Sequence, residues 1–83
     1  MYNVLFIDSA KKDLRKLNKE EQERVISVLE RIKIRPHSFA MRLSGSRACR
    51  VRAGKLRIIM DINDRVNGIV ILKIGNRENV YLL

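Results

Sequence analysis

The sequence predicts a two-layer α+β domain, and three observations predict it. An apolar run opens the chain at Tyr2 to Ile7, and apolar residues at helical spacing follow as far as Pro36. From Arg47 the apolar period falls to two, between tight-turn signals. Late strands joined by such turns pair antiparallel, and a helical hairpin ahead of them needs their apolar face to cover. The 83 residues leave room for one domain, 1–83, with one core. A chain this short buries only about two-thirds of the surface that it exposes when unfolded.

The elements follow in order. Tyr2 to Ile7 (YNVLFI) is β-branched and aromatic and reads as a strand, and its near-continuous apolar character predicts a place covered on more than one side. Ser9 is a good N-cap for a short helix on which Ala10, Leu14 and Leu17 form one apolar stripe, leaving Lys11, Lys12, Asp13, Arg15 and Lys16 in water. Asn18 starts a second helix, with Glu21 three residues on completing a capping box. Val25, Leu29 and Ile32 continue the helical spacing to Lys33 or Ile34, and Pro36 disfavours the α conformation at Arg35 and stops it. The break at Asn18 is short enough that the two helices form an antiparallel hairpin.

His37 to Ser46 is loop-like, with Phe39, Met41 and Leu43 expected to anchor it to the core. Cys49 and Val51 then fall on one face of a strand, and Arg50 and Arg52 on the other. After a turn at Gly54, Leu56, Ile58, Met60 and Ile62 alternate with Lys55, Arg57, Ile59 and Asp61. Asn67-Gly68 is the next turn, Ile69 to Ile74 (IVILKI) another strand, Gly75-Asn76 its break, and Asn79 to Leu83 a short extended end. The order is β-α-α-β-β-β on a mainly antiparallel sheet.

Charge is distributed unevenly. The segment from Arg31 to Arg57 holds nine Lys or Arg and no Asp or Glu, so the formal excess of +9 sits in about one-third of the chain. A stretch free of carboxylates is what a polyanion-binding surface requires. The chain has one cysteine, Cys49, and so no internal disulfide; a small buried hydrophobe in a reducing compartment is expected. The one histidine, His37, beside a proline, is expected to be a solvated surface residue. The N-terminus lacks the pattern of a signal peptide and no apolar run is long enough to cross a membrane, so a soluble cytoplasmic protein is expected.

With Ala53-Gly54 as a two-residue loop, Arg52 lies opposite Lys55 and Arg50 opposite Arg57, four cations on one face of a ribbon. Like charges directly opposite one another are destabilising, so folding alone gives no reason for them. Two readings stand: long side chains splaying into water, or a phosphate-binding ribbon. The segment GNRENVY places Arg77 and Tyr81 four residues apart after the IVILKI strand, whose far end would approach the ribbon. Guanidiniums with a phenol suit RNA, whose unpaired bases stack on aromatic rings. The sequence contains no metal-ligand cluster, Gly-rich phosphate loop or Ser-His-Asp pattern, and no metal or cofactor is expected.

These residues carry a resemblance to the RelE-like toxins of bacterial and archaeal toxin–antitoxin pairs, over nearly the whole length. YNVLFIDSAKKDLRKL is similar to the family's first strand and helix, RLSGSRACRVRAGKLRIIMDI to its central pattern, and GNRENVY to its closing Arg-to-Tyr signature. The resemblance implies a ribosome-dependent mRNA endonuclease that cuts the A-site codon by attack of a ribose 2′-oxygen on the adjacent phosphorus, leaving a 2′,3′-cyclic phosphate. It implies catalytic roles for Arg50, Arg52, Arg57, Arg77 and Tyr81, RNA contacts from Arg47, Arg50, Arg52 and Lys55, and a cognate acidic RelB-like antitoxin in a hetero-oligomer.

Two departures from the family pattern stand out. Arg50 and Arg52 occupy positions that are often lysines, and arginine stays protonated at ordinary pH, so Lys55, Tyr81 as phenolate, or Glu78 is left as general base. Some relatives also continue into a C-terminal helix beyond the position of Tyr81, and its absence is expected to leave one side of the site open. Two other functions stay open. One is a ParE-like toxin that binds gyrase without cutting RNA, and the other is a non-enzymatic basic RNA- or ribosome-binding module.

Overall fold

The computed structural model describes residues 1–42 and 48–76. The elements are β1 (Asn3–Phe6), α1 (Asp8–Lys16), α2 (Lys19–Ile32), a single-turn α3 (Pro36–Phe39), β2 (Met41–Arg42), β3 (Ala48–Ala53), β4 (Leu56–Asn63) and β5 (Gly68–Asn76). The sheet order is β1-β5-β4-β3-β2, antiparallel except that β1 runs parallel to β5. The predicted α+β order is present, with α3 and β2 added where a loop was expected. Pro36 explains α3: it keeps Arg35 out of the helical region (φ −140°, ψ 76°) and then occupies the first turn of a new helix, where its missing N–H costs nothing.

The helices bury one face of the sheet. Ala10 of α1 and Val25, Val28, Leu29 and Ile32 of α2 form one core with Val51, Leu56, Ile58, Met60, Ile69, Ile71 and Ile74. Cys49 is buried in the same core. The capping box at Asn18 is present in both directions, Glu21 N–H donating to Asn18 Oδ1 at 2.8 Å and Asn18 N–H to Glu21 Oε1 at 3.1 Å. Gln22 Nε2 donates to the carbonyls of Leu14 and Leu17, satisfying groups that the end of α1 leaves open and closing the helical hairpin.

Several local expectations are corrected. Helix α1 begins at Asp8 with Ile7 as N-cap, so Ser9 sits inside its first turn. Strand β1 is an edge, and Leu5 on its outer face is 66% exposed, so the strand is not covered on both sides. Its continuous apolar character reflects a core-facing pair, Val4 and Phe6, alternating with exposed Leu5 and Ile7. Asp13 is half-buried rather than solvated: its Oδ2 accepts from the Ile74 N–H at 3.0 Å, supplying an acceptor to β5 past the end of β1. Phe39 and Met41 are 51% and 63% exposed and do not anchor α3 and β2 in the core. Leu43 and the Asn79 to Leu83 piece lie outside the described residues.

The end of the sheet at the β4–β5 turn is tied by one carboxylate. Tyr2 Oη donates to Asp64 Oδ1 at 2.7 Å, and His37 Nε2 lies 2.8 Å from the same oxygen. His37 is exposed, as expected, yet it joins α3 to the turn. The bond to Asp64, aided by partial burial and the carboxylate charge, holds the Tyr2 phenol above its usual 10.0. Asn67 closes this turn in the left-handed region (φ 49°), a conformation that asparagine tolerates.

Candidate nucleic-acid interface

The β3–β4 hairpin is where the sequence and the structure first differ in register. Gly54 has φ +65° and takes the first turn position with Lys55 the second, the arrangement of Gly-X hairpin turns. Ala53 therefore stays in the strand, buried opposite Leu56. The pairs become Arg52 with Arg57, Val51 with Ile58, and Arg50 with Ile59. The expected pairs Arg52 with Lys55 and Arg50 with Arg57 do not form. The small methyl of Ala53 fits the core face, so the turn moves on by one residue.

On the sheet face away from the helices, alternation places Arg50, Arg52, Arg57, Ile59 and Lys73 together. These residues are not a row of equally solvated cations. Arg52 is exposed and Arg50 half-buried, whereas Arg57 is 4% exposed and engages other groups of the chain. Ile59, beside it, is 3% exposed. Arg50 also sends a guanidinium N–H toward Met41 Sδ at 3.7 Å.

The register of β5 contributes to this face. Between Ile59 and Met60 the partner jumps from Lys73 to Ile71, so Leu72 is the extra residue of a β-bulge. Beyond the bulge Gly75 comes opposite Arg57 and Asn76 opposite Leu56, bringing the chain to the hairpin end. The IVILKI strand thus lies beside β4 as expected, but continues through Gly75-Asn76 instead of breaking there. Arg77, Glu78 and Tyr81 follow it and, with Arg47, lie outside the described residues.

At the tip, Arg52, Gly54, Lys55, Leu56 and Arg57 line a concavity of about 240 Å³. Three cations around one small hollow can surround a phosphate, with the buried Arg57 giving a planar, partly desolvated fork and Arg52 and Lys55 the exposed rim. The hollow between α1, α2 and the end of β5 is larger, about 470 Å³, but it is lined by Asp13 and Glu21 as well as by Lys16 and Lys73, and so has no preference for a polyanion.

A third hollow, of about 330 Å³, lies between α2, α3 and the β2–β3 edge. It is lined by the apolar Val28, Ile32, Phe39, Met41 and Val51 and by the cations Arg31, Arg50 and Arg52. Sequence reading missed this groove because it placed Phe39 and Met41 in the core. Among the described residues no three His, Cys, Asp or Glu side chains come together as a metal site, and no helix is long and apolar enough to cross a membrane.

Fold and hairpin define a class: a small α+β domain whose β3–β4 hairpin carries arginines on the sheet face away from its helices. Residues 4–81 match the family model of the ParE toxin of the type II toxin–antitoxin system parDE. Solved structures agree on the fold. A chain of the RelBE2 toxin–antitoxin complex from Mycobacterium tuberculosis is 25% identical, with a TM-score of 0.82, covering 92% of this chain and 98% of that one. A chain of the archaeal RelE–RelB complex from Pyrococcus horikoshii OT3 is 26% identical at a TM-score of 0.78, covering 92% and 94%. The isolated E. coli RelE toxin is 19% identical at 0.78, covering 99% and 93%. A comparison with curated protein sequences finds no match. The chain belongs to the ParE toxin family of type II toxin–antitoxin systems, as a RelE-like toxin of the RelE/ParE superfamily.

Proposed function

We propose that this toxin acts in the cytoplasm as a ribosome-dependent mRNA endonuclease whose phosphate-holding surface is the β3–β4 hairpin. The observation that carries the reading is the cross-strand Arg52–Arg57 pair with Lys55 around one concavity. Like charges in register weaken a sheet, and a substrate phosphate between them reverses the sign of that interaction. In the reaction the 2′-hydroxyl gives its proton to a base and its oxygen attacks phosphorus. The P–O5′ bond then breaks, leaving a 2′,3′-cyclic phosphate and, once the leaving oxygen is protonated, a 5′-hydroxyl. Arg57 and Arg77 stabilise the charge on the phosphorane, Arg50, Arg52 and Arg47 hold the flanking backbone, and Tyr81 stacks on a base or orients the 2′-hydroxyl.

The family model favours a second reading, since it is named for ParE, and a ParE-like toxin would bind gyrase and cut nothing. Adding the purified chain to a bacterial translation extract separates the two. New mRNA ends carrying a cyclic phosphate support the nuclease; intact mRNA with blocked gyrase supercoiling supports the binder.

The base is testable in the same assay. Taking Lys55, exposed in the turn, as the base, Lys55→Met is expected to lower cleavage at least tenfold and to remove the rise of rate with pH. An unchanged pH–rate profile passes the role to Tyr81 or Glu78.

The partner in this reading is an acidic RelB-like antitoxin, forming a hetero-oligomer with the toxin. The groove of about 330 Å³ fits an amphipathic acidic segment, with apolar side chains on Phe39 and Met41 and carboxylates on Arg31, Arg50 and Arg52. Association is expected to be fast at low ionic strength and to slow as salt rises. An on-rate independent of salt, or a tight partner that is itself basic, would rule this surface out.

A further inference from the structure

Arg24 of α2 stands thirty residues from the hairpin turn in sequence and touches it in space. A Cβ on Gly54 would overlap the Arg24 side chain, lying 2.7 Å from its Cδ and 3.2 Å from its Cζ, so the arginine stem and guanidinium pass directly over the glycine. Gly54 is required by its φ of +65°, and a Cβ there would in addition push the Arg24 side chain aside. The same Gly54 lines the concavity of Arg52, Lys55 and Arg57.

The guanidinium is not neutralised in place. Its ion-pair partner, Glu20, is 3.9 Å away, and the two side chains are 50% and 84% exposed, a geometry that contributes little. A half-exposed guanidinium that rests on the turn and has no close ion pair is suited to a ligand, because less side-chain freedom is lost when it is engaged.

We propose that Arg24 is a phosphate-binding residue of the RNA site, holding a backbone phosphate next to the one that Arg52, Lys55 and Arg57 surround. This extends the RNA footprint from the hairpin onto α2, and it rests on the RNA reading of the hairpin. The identified chemistry is a phosphodiester on a single strand; no base is read by this contact.

The test is binding of a short fluorescein-labelled oligouridylate to the intact protein, measured by anisotropy across a salt series. Arg24→Gln keeps the stem and removes the charge. It is expected to weaken binding roughly three- to tenfold at low salt and to lower the salt slope by about 0.7, the contribution of one phosphate contact on a single strand. Arg24→Lys should restore most of the slope. Arg65→Gln removes the same charge from the turn at the other end of β4 and should leave the slope unchanged.

An Arg24→Gln slope equal to wild type overturns the proposal even if affinity falls, because such a fall marks an arginine that only steadies the turn. An equal change in Arg65→Gln also overturns it, as an effect of net charge. Arg52→Gln separates the levels. If it lowers the slope and Arg24→Gln does not, the Arg24 assignment alone fails; if neither lowers it, or the wild-type chain does not bind, the RNA reading of the hairpin fails with it.

Discussion

Replacing Arg57 by Lys is expected to lower mRNA cleavage at least tenfold while the domain stays folded. Arg57 pairs with Arg52 across the hairpin, lies opposite Gly75 on its other side and is 4% exposed at the concavity. Arg57 is thus held in a desolvated position, and the nuclease reading assigns its guanidinium the contact with the phosphorane. Lysine keeps the positive charge and loses the fork, so the substitution separates geometry from charge. Removing one donor from an organised oxyanion site costs about 2.7 to 4 kcal/mol, and tenfold, about 1.4 kcal/mol, is a conservative threshold. The measurement is single-turnover cleavage at saturating toxin, well below the Tm of the variant. A rate within twofold of wild type would remove Arg57 from the reacting centre.

The second large effect is on stability. Ile58 lies between Val51 and Ile74 on the core face of β4, fully buried and next in sequence to Arg57. Ile58→Ala is expected to cost about 2 to 5 kcal/mol, because the central strand of a five-stranded sheet cannot collapse into the space left. For a domain of this size that lowers Tm by about 8 °C or more. Ile58→Val should cost about 0.5 to 1.5 kcal/mol. Urea unfolding of the three proteins checks both values, and a loss below about 1 kcal/mol for alanine would mean that the core is not centred on β4.

What could be read in the sequence was mostly what local chemistry decides. The Asn18–Glu21 capping box and the stop at Pro36 are properties of a few consecutive residues, and both are present. Leu56, Ile58 and Met60 do face the core together, but Arg57 and Ile59 between them are buried as well, so burial along β4 does not alternate as the sequence pattern does. The hairpin register was off by one because Gly54 was placed second in the loop. A two-residue hairpin turn can take Gly first, as in Gly54-Lys55, whereas Ala53 in that place would need a positive φ. Ser9 failed as a cap because Asp8 is already helical and the extended Ile7 takes the N-cap place.

Long-range placement was less legible. Nothing in YNVLFI states that its neighbour is β5, parallel and at the sheet edge, and the pattern gave no warning that Leu5 would stay in water. The cationic segment was legible as charge and not as burial. Composition places Arg52 and Arg57 together, but only the folded chain separates an exposed rim residue from a buried one. Arg24 carried no signal at all, because a Glu20–Arg24 pair is also the ordinary decoration of a solvated helix.

The most direct measurement for the nuclease reading uses purified ribosomes stalled on a defined mRNA with the A site empty. The wild-type chain is added and the RNA ends are mapped by primer extension. One new 5′-hydroxyl end is expected inside the A-site codon, matched by a 2′,3′-cyclic phosphate upstream, absent without ribosomes and strongly reduced in Arg57→Lys. An uncut A-site codon on ribosomes that demonstrably carry the toxin, or equal cutting of the same mRNA free in solution, would contradict it.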